Sequence, residues 1–183
     1  VKYLKQAAPS LKITALFDPH IDEDSDYSGG TAFKQAGLIE IIEDYNARYG
    51  QDFTLANHAK FKKDVAARLA HKKPYLRIEK TSGQQIDLLI VVDQMLTGFD
   101  SKWLNTLYMD KVLKYENIIQ AFSRTNRLYI EHKKPFGSIR YYRYPHSMER
   151  NIIDAVKLYS GDKAVGLFVD KLPNNLKKNE CHL

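Results

Sequence analysis

The chain has 183 residues, 44% hydrophobic and 27% charged, which is enough to bury the core of one main domain with a small appendage. No run approaches the roughly 18 to 20 apolar residues that span a bilayer, and the amino end lacks a charged-then-apolar leader pattern, so a soluble, cytoplasmic protein is expected. A single cysteine, Cys181, excludes a disulfide framework and a cysteine-based metal site, while a net charge of +6 favours a polyanionic partner.

The first ten residues, ending Ala7-Ala8-Pro9-Ser10, read as a connector. Leu11 to Phe17 is an apolar, strand-like run, closed by Asp18-Pro19 because proline biases its predecessor away from helix. In the acidic stretch that follows, Asp22, Asp24 and Asp26 have the spacing of the first ligands of a calcium loop. Tyr27 stands where that loop needs glycine and Phe33 where it needs a bidentate glutamate, so an acidic surface loop is expected instead.

From Thr31 to Tyr49, Phe33, Gly37, Leu38, Ile41, Ile42, Tyr45 and Tyr49 recur at helical spacing, and Gly50 is placed to cap the end. A second helix is predicted over Asn57 to Ala70, with Phe61, Val65 and Leu69 on one face and Lys73-Pro74 ending it. Lys60, Lys62, Lys63, Arg68, Lys72, Lys73, Arg77 and Lys80 crowd this region and form either a solvated face or a phosphate-facing one. His58 and His71 lack the i,i+4 spacing and the carboxylates of a metal site, so both are expected at the surface.

Leu88-Leu89-Ile90-Val91-Val92, bounded by Asp87 and Asp93, is too short for a lone helix and too apolar for a half-exposed strand. It fits a strand buried on both faces, and the turn beyond it, Thr97-Gly98-Phe99-Asp100, then falls in the ligand crevice of an open α/β sheet. Leu104 to Met109 is a further strand. Tyr115 to Asn126 has helical spacing through Ile118, Ile119 and Phe122, which puts Gln120, Arg124 and Arg127 in one neighbourhood. Ser138 to Tyr144 is a tyrosine-rich strand closed by Pro145, and a last helix starts at an N-cap, Ser147, runs through Ile152, Ile153, Val156 and Tyr159, and stops at Gly161. Strands alternating with helices predict an α/β fold, a parallel sheet covered on both faces.

A helix delivering Arg124 and Arg127 near a strand-end turn with Gly98 and Asp100 suits phosphate binding, because guanidinium is a permanently charged fork matching phosphate oxygens. The opposing reading makes both arginines surface residues paired with acids. The sequence Gln120-Ala-Phe-Ser-Arg124-Thr-Asn-Arg127 resembles motif VI of superfamily 2 helicases and translocases, and Thr97-Gly98-Phe99-Asp100 resembles motif V at a fitting separation. From Asp87 to Arg127 the wording is most similar to the motor subunit of type I restriction enzymes, and the tract Ile152 to Leu172 is compatible with it. Ser123 and Asn126 replace the glycines of many superfamily members, which favours this branch over RNA helicases.

The resemblance implies the second RecA-like domain of a double-stranded DNA translocase, a three-layer, mainly parallel fold of the P-loop NTPase type, over residues 1–160. Residues 161–183 would begin a helical extension or tail. It implies that Arg124 and Arg127 are catalytic, reaching ATP on a first motor domain, that Gln120, Gly98 and Asp100 belong to the nucleotide site, and that Thr97 contacts DNA phosphate. The strand Leu11 to Phe17 would stand in the place of motif IV. ATP and magnesium would be held mainly by the first motor domain, and the implied partners are duplex DNA, the nuclease domain of the same polypeptide, and the modification and specificity subunits. The chain has no Gly-x-x-x-x-Gly-Lys-Ser/Thr loop, no Asp-Glu box and no nuclease set, which predicts a fragment without ATP turnover of its own. Two other classes stay open: a non-enzymatic, doubly wound small-ligand domain, and a nucleic-acid-binding module using the basic helix near Lys60 to Lys73.

Overall fold

A computed structural model of the chain describes residues 1–18, 30–92, 95, 98–127, 129, 134 and 136–160. The acidic stretch 22–26, the turn residue Thr97 and everything from Gly161 onward therefore lie outside the described residues. The architecture is α/β, with short parallel strands and flanking helices, and the chain divides into two compact units, Val1–Leu104 and Asn105–Leu183.

The first unit opens with a helix, α1 (Lys2–Ala7), where a connector was expected. No residue of α1 is buried; ion pairs tie it to the next helix, Lys2 Nζ to Glu40 at 3.0 Å and Lys5 Nζ to Asp44 at 2.7 Å. Strand β1 (Ile13–Leu16) is buried at all four positions and pairs in parallel with β2 (Leu88–Val91), Ile13 opposite Leu88 through Leu16 opposite Val91. Asp87 sets that register by accepting hydrogen bonds from the backbone N–H of Lys12 at 2.8 Å and from its ammonium at 2.6 Å. The four residues of β2 are half-buried and Val92 is 49% exposed, which corrects the expectation of a strand buried on both faces. The described β2 has one strand neighbour, β1, and so part of its surface reaches solvent.

Helix α2 (Gly30–Tyr49) buries Leu38, Ile42, Tyr45 and Tyr49 and ends at Gly50, whose φ of +65° and N–H bond to Asn46 C=O at 2.8 Å form the expected cap. Phe33 lies on the expected apolar stripe but is 83% exposed. A 3-10 turn, Leu55–Asn57, leads into α3 (His58–Leu69) through a reciprocal capping box between Thr54 and Asn57. Phe61 and Val65 join Leu16, Leu38, Ile42, Tyr45, Tyr49 and Ile86 in one core cluster.

Arg68 departs from its expected place in the basic cluster. It is 1% exposed, its guanidinium carbon 4.0 Å from the ring centres of both Tyr49 and Tyr75. Its Nε donates to Tyr45 Oη at 2.9 Å and its Nη1 to the Gln84 carbonyl and amide oxygens at 3.0 and 2.9 Å. Asp64 accepts from the hydroxyls of Tyr45 and Tyr75, so the buried charge is both paired and hydrogen-bonded.

In the second unit, β3 (Thr106–Met109) and β4 (Ser138–Tyr141) pair in parallel, Thr106 opposite Ser138 through Met109 opposite Tyr141. Helix α4 (Glu116–Ser123) buries Ile118 and Ala121, and α5 (Pro145–Ser160) buries Met148, Ile152, Ala155 and Val156. The last helix starts two residues before the expected N-cap Ser147. Pro145 occupies its first position, where a missing N–H costs nothing, and Tyr144 C=O accepts the first helical bond from Met148 at 2.9 Å. Tyr159, expected on the apolar face, is 55% exposed.

Candidate functional site

The expected site residues are distributed over both units. Gly98 and Asp100 belong to the first, and Gln120, Arg124 and Arg127 to the second.

Gly98 has a φ of +71°, a conformation that strains any residue with a Cβ, and Asp100 is half-buried. The residues after them anchor the turn to the carboxyl end of α3. Ser101 is 3% exposed; its hydroxyl donates to Leu69 C=O at 3.4 Å and accepts from the Trp103 N–H at 3.1 Å. The Trp103 indole stacks on His71 with centroids 4.1 Å apart at 17°, and Lys102 Nζ lies 5.5 Å from the indole centre. His71 faces Glu79 across 3.3 Å. Burial pushes its imidazole below the ordinary value, against the pull of Glu79. His71 is thus a packed member of the first unit and not the surface residue expected. His58 is also half-buried, with its Nε2 enclosed and without a hydrogen-bond partner among the described residues, and desolvation followed by the nearby Lys62 holds its basicity down.

Helix α4 is shorter than its sequence periodicity predicts. It stops at Ser123, Arg124 is its C-cap, and Arg127 lies beyond it. The cause is local competition for the last carbonyls. Gln120 C=O accepts from Ser123 Oγ at 2.6 Å and from Arg124 Nε at 3.1 Å, while Phe122 C=O accepts from Thr125 N at 3.2 Å and Thr125 Oγ1 at 3.3 Å. Gln120 and Arg124 are therefore joined as expected, through the backbone carbonyl of Gln120, whereas Arg127 does not follow on the same helical face. The Arg127 side chain is exposed, and its carbonyl accepts from Lys134 Nζ at 2.6 Å. Lys134 is 4% exposed, and burial lowers its pKa.

Two residues that sequence reasoning passed over hold this segment. Thr125 is 1% exposed, and a Cβ built on Gly137 would fall 2.1 Å from its carbonyl oxygen, so only glycine permits that approach. Lys134 is the other. The glycine just before a strand was the one visible signal; the lysine resembled any other basic residue. Among the described residues no group of three or more His, Cys, Asp or Glu could hold a metal ion, and no helix is long and apolar enough to cross a membrane.

Residues 1–144 match the family described as type I restriction enzyme subunit R domain 3. The chain is 36% identical over 157 residues to the type I restriction enzyme SauCOLORF180P endonuclease subunit of Staphylococcus aureus (strain COL), covering 85% of this chain and 16% of that protein. It is 37% identical over 160 residues to the SsaAORF53P endonuclease subunit of Staphylococcus saprophyticus, covering 87% and 16%. A shorter match, 46% over 70 residues, links it to the N-terminal part of a putative type I restriction enzyme MpnIIP endonuclease subunit of Mycoplasma pneumoniae, covering 38% and 18%. The chain thus spans about one sixth of the length of the curated staphylococcal relatives it matches. With residues 1–144, most of its length, matching their domain 3, the chain belongs to the type I restriction enzyme R subunits.

Proposed function

We infer that residues 1–160 act as the second, RecA-like motor domain of an ATP-dependent double-stranded DNA translocase within a type I restriction enzyme, with residues 161–183 leading into a helical extension. In this reading Arg124 and Arg127 act on ATP held with magnesium mainly by a first motor domain, Gln120, Gly98 and Asp100 complete the nucleotide side, and Thr97 meets DNA phosphate. The nuclease domain of the same polypeptide and the modification and specificity subunits are the further partners, and the assembly works in the cytoplasm.

The observation that carries the reading is the placement of Arg124. It caps the end of α4 with its Nε on the Gln120 carbonyl at 3.1 Å, in a chain whose residues 1–144 match an R-subunit domain. A guanidinium whose Nε is held in this way has its plane set before it meets a phosphoryl group, so less freedom is lost on binding. Bound ATP would supply the phosphoryl group and the free energy of its transfer. This chain would contribute positive charge and orientation.

The test is DNA-stimulated ATP hydrolysis by the complete subunit in its assembled complex. Arg124→Ala and Arg127→Ala are each expected to lower turnover by about a hundredfold or more, within the range for arginines that stabilise phosphoryl transfer. Arg124→Lys should not restore it, because an ammonium lacks the fork. Near-normal turnover in the folded variants would make the helix end structural and end the motor assignment of these residues.

A further inference from the structure

The two long helices of the first unit end in different ways. Past α2 stands Gly50, whose φ of +65° needs no side chain to hold it. Past α3, beyond the C-cap Ala70, the left-handed position is taken by His71 at φ +51°, where a Cβ is disfavoured. Three of the last four carbonyls of α3 find backbone donors there: Ala66 accepts from Ala70 N–H at 3.0 Å, Ala67 from Lys72 N–H at 2.9 Å and Arg68 from His71 N–H at 3.2 Å. The fourth, Leu69 C=O, accepts from the Ser101 hydroxyl, 32 positions along the chain. Glycine would serve helix termination at position 71 better than histidine, so the imidazole has a further task. Trp103 lies flat on its ring, centroids 4.1 Å apart at 17°, and Glu79 stands 3.3 Å from its Nδ1. Buried Ser101 brings the indole there, its hydroxyl accepting the Trp103 N–H at 3.1 Å and bending the chain.

We propose that His71 and Trp103 are a positioning pair for the turn Thr97 to Asp100, fixing its far end to the end of α3 while β2, paired with β1, holds the chain before it. Trp103 follows Asp100 by only three residues, with Ser101 buried between them, so where the indole rests decides where the Asp100 backbone can lie. A flat stack of imidazole and indole sets orientation as well as distance, which an aliphatic contact does not. Gly98, at φ +71°, gives the turn a backbone path that other residues resist, and such a path keeps one geometry only when both of its ends are held. The left-handed backbone of His71 is the local cost of placing a ring, rather than a hydrogen atom, at the point where the turn returns to the helix. The proposal rests on the motor reading for what the turn does, and on this geometry alone for how it is held. In that reading ATP is held mainly by the first motor domain, so a misplaced turn lowers kcat and not ATP affinity.

The experiment takes two readouts on the complete subunit in its assembled complex. Amide hydrogen exchange reports the turn directly: Trp103→Ala and His71→Asn are each expected to speed exchange between Gly98 and Trp103 by about tenfold or more, and Trp103→Phe to keep it slow. Asparagine tolerates the left-handed region, so His71→Asn removes the stack without adding backbone strain and should leave the thermal midpoint unchanged. In DNA-stimulated ATP hydrolysis the same two variants should lower kcat by about tenfold or more with the ATP KM within about twofold of wild type. The double variant should fall no further than the worse single one, because the pair acts as a unit. Wild-type exchange in both variants overturns the positioning itself. Faster exchange with normal kcat, while Arg124→Ala stays defective, overturns the functional role and leaves the motor reading standing. Normal turnover in Arg124→Ala and Arg127→Ala instead ends the motor reading, and exchange alone then decides whether the pair holds the turn. A thermal midpoint that falls together with kcat in His71→Asn makes the pair ordinary packing and overturns the proposal. Should Trp103→Ala fail to fold, His71→Asn carries both readouts.

Discussion

The guanidinium carbon of Arg68 lies 4.0 Å from the centre of the Tyr49 ring, inside the core of the first unit. A second phenol, Tyr75, approaches at the same distance, and Asp64 accepts from the Tyr45 and Tyr75 hydroxyls. One permanently charged side chain thus ties α2, α3 and the segment around Gln84 to one another. Arg68→Ala strands Asp64 and the Gln84 oxygens and is expected to cost about 3 to 5 kcal/mol of stability. Arg68→Lys should recover little, because an ammonium neither lies flat on two rings nor donates in three directions from one plane. Urea denaturation of the chain followed by circular dichroism measures both, and a loss under about 1 kcal/mol in Arg68→Ala would contradict a central role.

The same cluster predicts behaviour at high pH. Desolvation, reinforced by Asp64 at Tyr75, pushes the phenols of Tyr49 and Tyr75 up to about 12, and raises Tyr45 above its ordinary value as well. Folded-state values above the unfolded one mean that the unfolded chain releases protons first. Their contribution is fully present below pH 10, shrinks as pH rises, and is gone above about 12. Absorbance at 295 nm, taken as the difference between wild type and Tyr49→Phe or Tyr75→Phe, should show these phenols ionising together with loss of structure; a difference step near pH 10 in a still-folded chain would disprove the packing.

Acid acts through the histidines. His71 and His58 both have folded-state pKa values below the ordinary histidine value of 6.5, chiefly because burial disfavours the imidazolium. The unfolded state therefore binds protons more readily, and stability present above pH 6.5 is lost as pH falls through the depressed folded values. Trp103, the single tryptophan, reports the event because it stacks on His71. Its fluorescence should fall below pH 6.5 as the imidazolium forms and quenches it, and His71→Leu should abolish that step. An unchanged profile in His71→Leu would assign the quenching to another group.

Gly137→Ala tests the support of the arginine-bearing segment. A methyl 2.1 Å from the Thr125 carbonyl oxygen cannot be accommodated without moving backbone. A loss of about 1 to 3 kcal/mol is expected, the usual range for overpacking. The DNA-stimulated ATPase of the assembled complex should fall with it if the loop from Arg124 to Arg127 serves phosphoryl transfer. Full stability in Gly137→Ala would show that the segment relaxes easily and that its position is not held there.

What the sequence determined by itself is whatever depends on near neighbours. The apolar spacing of Leu38, Ile42 and Tyr45, the cap at Gly50, the pairing-competent runs around Ile13 and Leu88, and the Gln120-to-Arg127 wording that resembles the R subunits were all legible in the chain, because each rests on residues within a few positions of one another. The tertiary structure alone decided matters of burial and approach. Arg68 looked like one more cation of a basic cluster until two tyrosines from distant positions enclosed it, and Phe33 kept its helical spacing while remaining exposed. Periodicity carried α4 on to Asn126, but hydrogen bonds from Ser123, Arg124 and Thr125 to the last carbonyls end it at Ser123. Lys134 and Gly137 matter because the chain folds back on Arg127 and Thr125, and the His71–Trp103 stack exists because the segment after Asp100 returns to the end of α3. Local pattern sets what a segment can become; which groups are desolvated, and which backbones touch, depends on residues far apart in sequence.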